Sequence, residues 1–374
     1  MKVICVVGTR PEAIKMAPII LAMTQDPRFQ AMVLATAQHR EMLDQVLDFF
    51  SITPDIDLNV MRKNQSLAEL TARLLIALDR VLKEEKPDAV IIQGDTTTVM
   101  TMALACYYND IPVGHVEAGL RTWDIKNPFP EEANRVIASK FAKWHFAPTR
   151  RSSDNLIKEG VPKSAITITG NTVIDALHVA AGMSDDIGLE LTPNKPLVLI
   201  TAHRRENFGD PLVEIFRAIL ELSTKNPEYQ FLYPVHPNPN VSRIANQMLR
   251  GVDNITLSPP LEYPQFVAAM KRAHFIISDS GGIQEEAPAL GKPVVVLRAE
   301  TERPEAAEMG LVELVGTESD KIIACAQKLI TDKKYYESMA QGSSPYGDGM
   351  ASDRIISVLA KYRASTVNQP KLHS

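Results

Sequence analysis

The sequence predicts an α/β protein made of two doubly wound parallel-sheet domains, and three observations carry that expectation. Short β-branched runs alternate with longer stretches of helical period along nearly the whole chain, which is the pattern of stacked βα units. The series breaks at 182–195, GMSDDIGLELTPNK, a polar stretch with Gly, Pro and Asp, and then starts afresh. A length of 374 residues gives room for two sizeable cores.

Taken in order, the first series of strands is expected at 2–7, 32–37, 88–93, 112–117, 144–148 and 166–169, each an apolar run followed by a helical stretch. The second is expected at 197–201, 231–235, 254–257, 275–278, 293–297 and 312–315. A turn-rich segment at 342–349, GSSPYGDG, precedes an amphipathic helix at 350–362, and 364–374 has no pattern and is expected to fray.

Composition narrows the function classes. With 40 Lys and Arg against 45 Asp and Glu the net charge is −5, so bulk binding to nucleic acid or an anionic membrane gains no support. No apolar run reaches the roughly 20 residues that span a bilayer, and MKVICVVGTR reads as a strand before a glycine, so neither a signal peptide nor a membrane helix is expected and the address is read as cytoplasmic. Cys5, Cys106 and Cys325 are odd in number, far apart and set among apolar neighbours, which suits reduced packing residues. No G-x-G-x-x-G follows the first strand, and Gly291-Lys292 runs into Pro293, so the dinucleotide fingerprint and the phosphate-binding P-loop both fail.

Ligands of open parallel sheets bind outside the carboxyl ends of the strands, so the residues after each run deserve the closest reading. The first run leads into Gly8-Thr9-Arg10-Pro11-Glu12, with Lys15 about a turn beyond, and the two cations can clamp a phosphate at a helix start. Next come Gly94-Asp95-Thr96, where the Asp is either a helix cap or an acid–base group, and Glu117, a bare carboxylate at the sheet edge. Glu131 and Glu132 open a helix after two prolines; Glu132 reads as a partner of the helix dipole, and Glu131 stands between that role and chemistry. In the second half His203 and His236 follow corresponding strands, each beside polar loops. Ser278-Asp279-Ser280-Gly281-Gly282 lets backbone N–H groups approach a diphosphate, with Glu286 one turn on for ribose hydroxyls and Arg303 after the next strand.

Together, GTRPEAIKMAP (8–18), TAQHREMLDQVL (36–47), GDTTT (94–98), PVGHVEAGLRT (112–122), PEEANR (130–135), TGNTVIDAL (169–177), TAHRREN (201–207), SDSGGIQEEAP (278–288) and TERPE (301–305) resemble the bacterial non-hydrolysing UDP-N-acetylglucosamine 2-epimerases, collinearly over nearly the whole chain. The resemblance implies a GT-B-like pair of Rossmann-like domains with an interdomain cleft. They would be 1–181 together with a C-terminal helix at about 350–374, and 182–349. It implies a homodimer that interconverts UDP-GlcNAc and UDP-ManNAc without a metal or other cofactor.

For the site it implies catalytic roles for Asp95, Glu117, Glu131 and His203, and substrate contacts from Arg10, Lys15, Arg135, Phe266, Ser280, Gly281, Gly282, Glu286 and Arg303. A second UDP-GlcNAc, bound as activator, would meet Gln38, His39, Glu131, Arg204 and His236. Departures from the family pattern fall at 298–301, at Leu261, and at Glu41 and Asn64 near the activator positions.

The chemistry agrees with this reading. The C2 hydrogen of a sugar is not next to a carbonyl, so its removal at neutral pH requires departure of the C1 diphosphate to a glycal-type intermediate. That route needs a base at C2, cations at the leaving group and exclusion of water. Which carboxylate is base and which is acid stays open at this level. A GT-B glycosyltransferase, a hydrolysing epimerase that releases ManNAc and UDP, and a silent sugar-nucleotide sensor are the competing readings.

Overall fold

The computed structural model describes residues 1–36, 40–62 and 65–367. The chain divides into two units, Met1–Ala176 with Tyr346–Ser374, and Leu177–Pro345. The sheet of the first contains β1 (Lys2–Val7), β2 (Gln30–Ala35), β3 (Ile56–Asp57), β4 (Ala89–Gln93), β5 (Val113–Val116), β6 (Trp144–Ala147) and β7 (Ile166–Ile168), in the order β3-β2-β1-β4-β5-β6-β7. The sheet of the second contains β8 (Leu197–Thr201), β9 (Gln230–Pro234), β10 (Ile255–Ser258), β11 (Ala273–Ser278), β12 (Val294–Val296) and β13 (Val312–Leu314), in the order β10-β9-β8-β11-β12-β13. Every ladder is parallel.

Both sheets therefore follow the doubly wound order, with its reversal between β1 and β4 and between β8 and β11. Parallel strands are covered on both faces, which is why they read as continuous apolar runs rather than alternations. In the first unit Ile4, Val90 and Ile92 pack with Leu74, Leu78, Met102 and Cys106 from the helices Leu67–Glu85 and Thr97–Tyr108. In the second, Val198, Ile200, Phe275 and Ile277 pack with Phe216 and Ile219 of Asp210–Lys225 and with Ile322 and Leu329 of Ser319–Thr331. All three cysteines are buried and free, and burial pushes the Cys5 and Cys325 thiols up to about 12, out of reach of thiolate chemistry.

Two features depart from the expected elements. β3 is only two residues long, pairing Ile56 and Asp57 with Leu34 and Ala35, too short to show a period in sequence. The last helix runs Ala351–Val367, past the point where fraying was expected. Its start is fastened to the first unit: Asp175 accepts from Ser352 N (2.8 Å), Ser352 Oγ (2.6 Å) and Ala351 N (3.2 Å), and Arg354 Nη1 donates to the Thr169 carbonyl (2.9 Å). Further along, Tyr362 meets Trp144 edge-on at 4.9 Å, with Lys143 Nζ 4.0 Å from the Tyr362 ring. No helix among the described residues is long and apolar enough to cross a membrane.

Candidate active site

In the first unit the chemistry gathers where the strand order reverses. The turn after β1 is folded by a capping box: Glu12 accepts from Gly8 N (2.6 Å) and Thr9 N (2.8 Å), while Thr9 Oγ1 accepts from Glu12 N (3.4 Å). Those N–H groups, expected to be available to a phosphate, are thus taken by the helix's own carboxylate. Arg10, the first residue of the helix, is half-buried beside them. Glu12 also accepts from Thr96 Oγ1 at 2.6 Å, joining the turns after β1 and β4, and burial pushes its carboxyl up to about 7 despite these donors, with Asp95 adding to the rise.

Asp95 follows β4 and Glu117 follows β5. Arg135 Nη2 lies 2.5 Å from Asp95 Oδ2, and Asn134 Nδ2 donates to the Asp95 carbonyl at 2.9 Å. Burial raises the Asp95 carboxyl above its ordinary range, Arg135 and Lys15 pull it back, and Glu117 and Glu131 push it further. Glu117 takes a left-handed backbone with φ 63°, a conformation that costs a non-glycine residue about 1–3 kcal/mol. Side-chain contacts hold it there: Lys15 Nζ is 2.6 and 2.8 Å from its oxygens, the Gln93 amide donates to it, and Asn171 Nδ2 is at 3.4 Å. Gly119 completes this turn with φ 92°, and a Cβ there would stand 2.2 Å from the Ser152 carbonyl, so only glycine fits. The arrangement places two carboxylates, an ammonium and a guanidinium around one sheet edge, which suits proton transfer next to developing negative charge.

In the second unit the turn after β8 is organised from β11. Asp279, fully buried, accepts on Oδ2 from His203 N (2.8 Å), Arg204 N (2.9 Å) and Asn207 Nδ2 (3.0 Å). Its Oδ1 faces His203 Nδ1 at 3.5 Å. The His203 ring stacks on His236, which follows β9, with centroids 5.5 Å apart, and burial lowers the His236 imidazole. The helix Gly281–Ala289 starts at Ser280 with no side-chain cap hydrogen bond, and a helix start of this kind suits an anion. Arg303 lies over that start: a Cβ on Gly281 would meet its Nη1 at 2.6 Å. Its guanidinium is paired with Glu285 and, at 2.5 Å, with Glu302. Glu286 is buried, its Oε2 3.5 Å from where a Gly282 Cβ would stand.

The structure thus gathers Lys15, Asp95, Glu117 and Arg135 in one unit, and His203, His236, Ser280, Gly281, Gly282, Glu286 and Arg303 at the strand ends of the other. Glu131 is half-buried at the head of the helix Glu131–Phe141, and Phe266 half-buried on Tyr263–Arg272. Arg204 is paired with Glu302 (3.3 Å) and Glu206 (3.7 Å). Gln38, His39 and Asn64 lie outside the described residues. Sequence reasoning missed His115, whose Nε2–H donates to the Gly94 carbonyl at 2.7 Å and so fixes the turn that carries Asp95. Burial pushes that imidazole down to about 3, leaving it neutral. A polar residue inside the apolar run of β5 was the signal available.

A family model described as UDP-N-acetylglucosamine 2-epimerase matches residues 21–360. The UDP-N-acetylglucosamine 2-epimerase of Escherichia coli strain K12 is 51% identical over 375 aligned positions, 98% of this chain and all of the relative. Among solved structures, UDP-GlcNAc 2-epimerase from Neisseria meningitidis bound to UDP-GlcNAc matches with a TM-score of 0.89 at 49% identity, covering 96% of this chain and 100% of that one. The Methanocaldococcus jannaschii UDP-GlcNAc 2-epimerase in complex with UDP-GlcNAc and UDP matches with a TM-score of 0.80 at 32% identity, covering 96% and 100%. The two parallel-sheet α/β units of this chain match the GT-B-like fold of these epimerase structures.

Proposed function

The chain belongs to the UDP-N-acetylglucosamine 2-epimerase family, and from that premise we propose that it interconverts UDP-GlcNAc and UDP-ManNAc by eliminating and re-adding UDP. The observation that carries the proposal is the Asp95, Glu117, Lys15 and Arg135 cluster at the strand-order reversal of the first unit. A carboxylate there takes the C2 proton as the C1–O bond breaks. The C2–H electron pair forms the C1=C2 bond, and the C1–O pair leaves with UDP. Re-addition of UDP at C1, with a proton delivered to the opposite face of C2, gives the epimer. Asp95 suits one side of this traffic because burial raises its carboxyl above the ordinary range and so strengthens it as a base, while delivery to the opposite face needs a second group. Glu117, ion-paired with Lys15, and Glu131 are the other candidates.

Nucleotide recognition belongs to the second unit in this reading: the open helix start at Ser280–Gly282 with Arg303 for the diphosphate, Glu286 for the ribose, His203 beside them, and Phe266 nearer the base. Arg10 is assigned to the diphosphate as well, while Arg135, engaged by Asp95, reaches substrate only from that pair. A homodimer is part of the proposal, supported by the exposed Ile76, Tyr107, Tyr108 and Ile137 on the packed helices Leu67–Glu85, Thr97–Tyr108 and Glu131–Phe141. So is a second UDP-GlcNAc as activator at Gln38, His39, Glu131, Arg204 and His236. A cytoplasmic site of action goes with the nucleotide-sugar substrate. The test is incubation with UDP-GlcNAc alone in deuterated water, followed at C2 by NMR. UDP-ManNAc carrying deuterium at C2 is expected; full retention of the C2 hydrogen, or release of free ManNAc, refutes the mechanism.

A further inference from the structure

Glu132 stands in the first turn of the helix Glu131–Phe141, where a carboxylate ordinarily serves the helix dipole from the surface. Here it is only 2% exposed. Its Oε1 accepts from Thr122 N at 3.1 Å and Trp123 N at 3.3 Å, and so reaches back to the turn that follows Glu117. Its Oε2 lies 3.3 Å from Arg135 Nη1, and the same guanidinium reaches Asp95 through Nη2 at 2.5 Å. One largely covered arginine, 11% exposed, is therefore stretched between two carboxylates, one facing the proposed chemistry and one facing the loop.

We propose that Glu132 is a positioning residue for the C2 proton transfer, fixing Arg135 in the orientation that controls the charge state of Asp95. The inference rests on the reading of Asp95 as the base in the direction assayed. A guanidinium held on one side by a carboxylate cannot swing away when Asp95 changes charge, so the field at Asp95 stays set through the cycle. The charged groups around Asp95 are Arg135 and Glu131 from the same helix as Glu132, Lys15 and Glu12 from the helix Arg10–Gln25, and Glu117 after β5. Of these cations Arg135 acts most strongly on Asp95, so a change in its seat is felt there first.

Glu132→Gln separates the two duties. The glutamine oxygen can still accept from Thr122 and Trp123, which leaves its NH₂ facing Arg135 Nη1, donor against donor. Arg135 then loses its seat, Asp95 loses part of its partner, and its carboxyl rises. The expected result is a kcat lower by about tenfold with KM within about threefold, and an acid limb of the pH–rate profile moved to higher pH. Combining Glu132→Gln with Arg135→Lys should cost less than the product of the single effects, since both act through the same fork.

An acid limb that persists in Asp95→Asn refutes the reading of Asp95, and the inference with it. A limb that is lost in Asp95→Asn but unmoved or lowered in Glu132→Gln overturns the inference alone and leaves Glu132 a loop anchor. If Glu132→Gln does not fold, Glu132→Asp decides in the same way. It keeps the charge but draws it back by one methylene, so a smaller upward movement is expected and an unmoved limb counts equally against the inference.

Discussion

The turns after β1 and β8 meet the same problem with different parts. Each follows the first strand of a doubly wound sheet, and each leaves backbone N–H groups needing an acceptor. After β1 the acceptor is local, Glu12 of the next helix taking Gly8 and Thr9. After β8 it comes from the neighbouring strand's end, Asp279 taking His203 and Arg204 across 76 and 75 residues of sequence. The topology is shared, but the chemistry placed on it is not. One unit presents carboxylates held by Lys15 and Arg135, and the other presents stacked histidines and an uncapped helix start. The same strand order puts residues at the same edge and leaves their roles to local sequence.

If the units divide the work as proposed, variants should divide the kinetics. Asp95→Asn, Glu117→Gln and Glu131→Gln are each expected to lower kcat by about 10²-fold or more, with UDP affinity little changed. Steady-state rates and UDP calorimetry on the same preparations check this. Near-normal rates in two of the three would return those residues to capping or packing. Glu286→Ala is the converse: UDP affinity should fall by about 10- to 150-fold, the worth of a lost hydrogen bond to a charged group. Unchanged affinity in a folded Glu286→Ala protein would remove Glu286 from the nucleotide site and blur the division.

Local arrangements were legible in the sequence and distant ones were not. The alternating runs marked every strand but the two-residue β3 because parallel strands are apolar throughout, and Pro11 marked the first helix start from its place after the strand. The pairs Lys15 with Glu117 and Arg135 with Asp95 join residues separated by 102 and 40 positions, and spacing says nothing of such contacts. The partners of Glu132 were hidden for a related reason. Its place in a first turn fits the dipole rule, and only burial shows that the carboxylate turns inward to Thr122, Trp123 and Arg135.

The contrast between the two turns can be sharpened by pH. Glu12 has an ordinary carboxyl value of 4.5 and is pushed up to about 7 by burial, so the native state holds its proton more tightly than the unfolded chain. Its stabilising contribution is full below about 4.5 and is lost as pH rises through about 7, on the order of 2–4 kcal/mol across that window. Glu12→Gln removes the dependence, so the variant should gain on the parent as pH goes from 5 to about 8. Both tryptophans, Trp123 and Trp144, lie in the first unit, so urea unfolding followed by their fluorescence reports on that unit. A stability difference that stays constant over the window would mean that Glu12 remains ionised throughout.

The smallest expected effect concerns the activator. Of the residues assigned to it, Arg204 is already paired with Glu302 and Glu206, so an incoming diphosphate must compete with two carboxylates for that guanidinium. By the family resemblance an arginine is expected where Asn64 stands and a glutamine where Glu41 stands, which removes one cation and adds one acid. A ligand shifts a conformational equilibrium only by its differential affinity for the two states, so weak contacts give weak activation. UDP-ManNAc turnover is therefore expected to proceed slowly without UDP-GlcNAc and to rise only modestly on adding a trace. Asn64→Arg should raise the response by about threefold to tenfold, the range of one added charge-assisted contact. The measurement is the initial rate from pure UDP-ManNAc with and without micromolar UDP-GlcNAc, in parent and variant. A full rate without the trace shows that no activator is needed. A sharp lag in the parent, abolished by the trace, shows that the remaining contacts suffice and that Asn64 is no handicap.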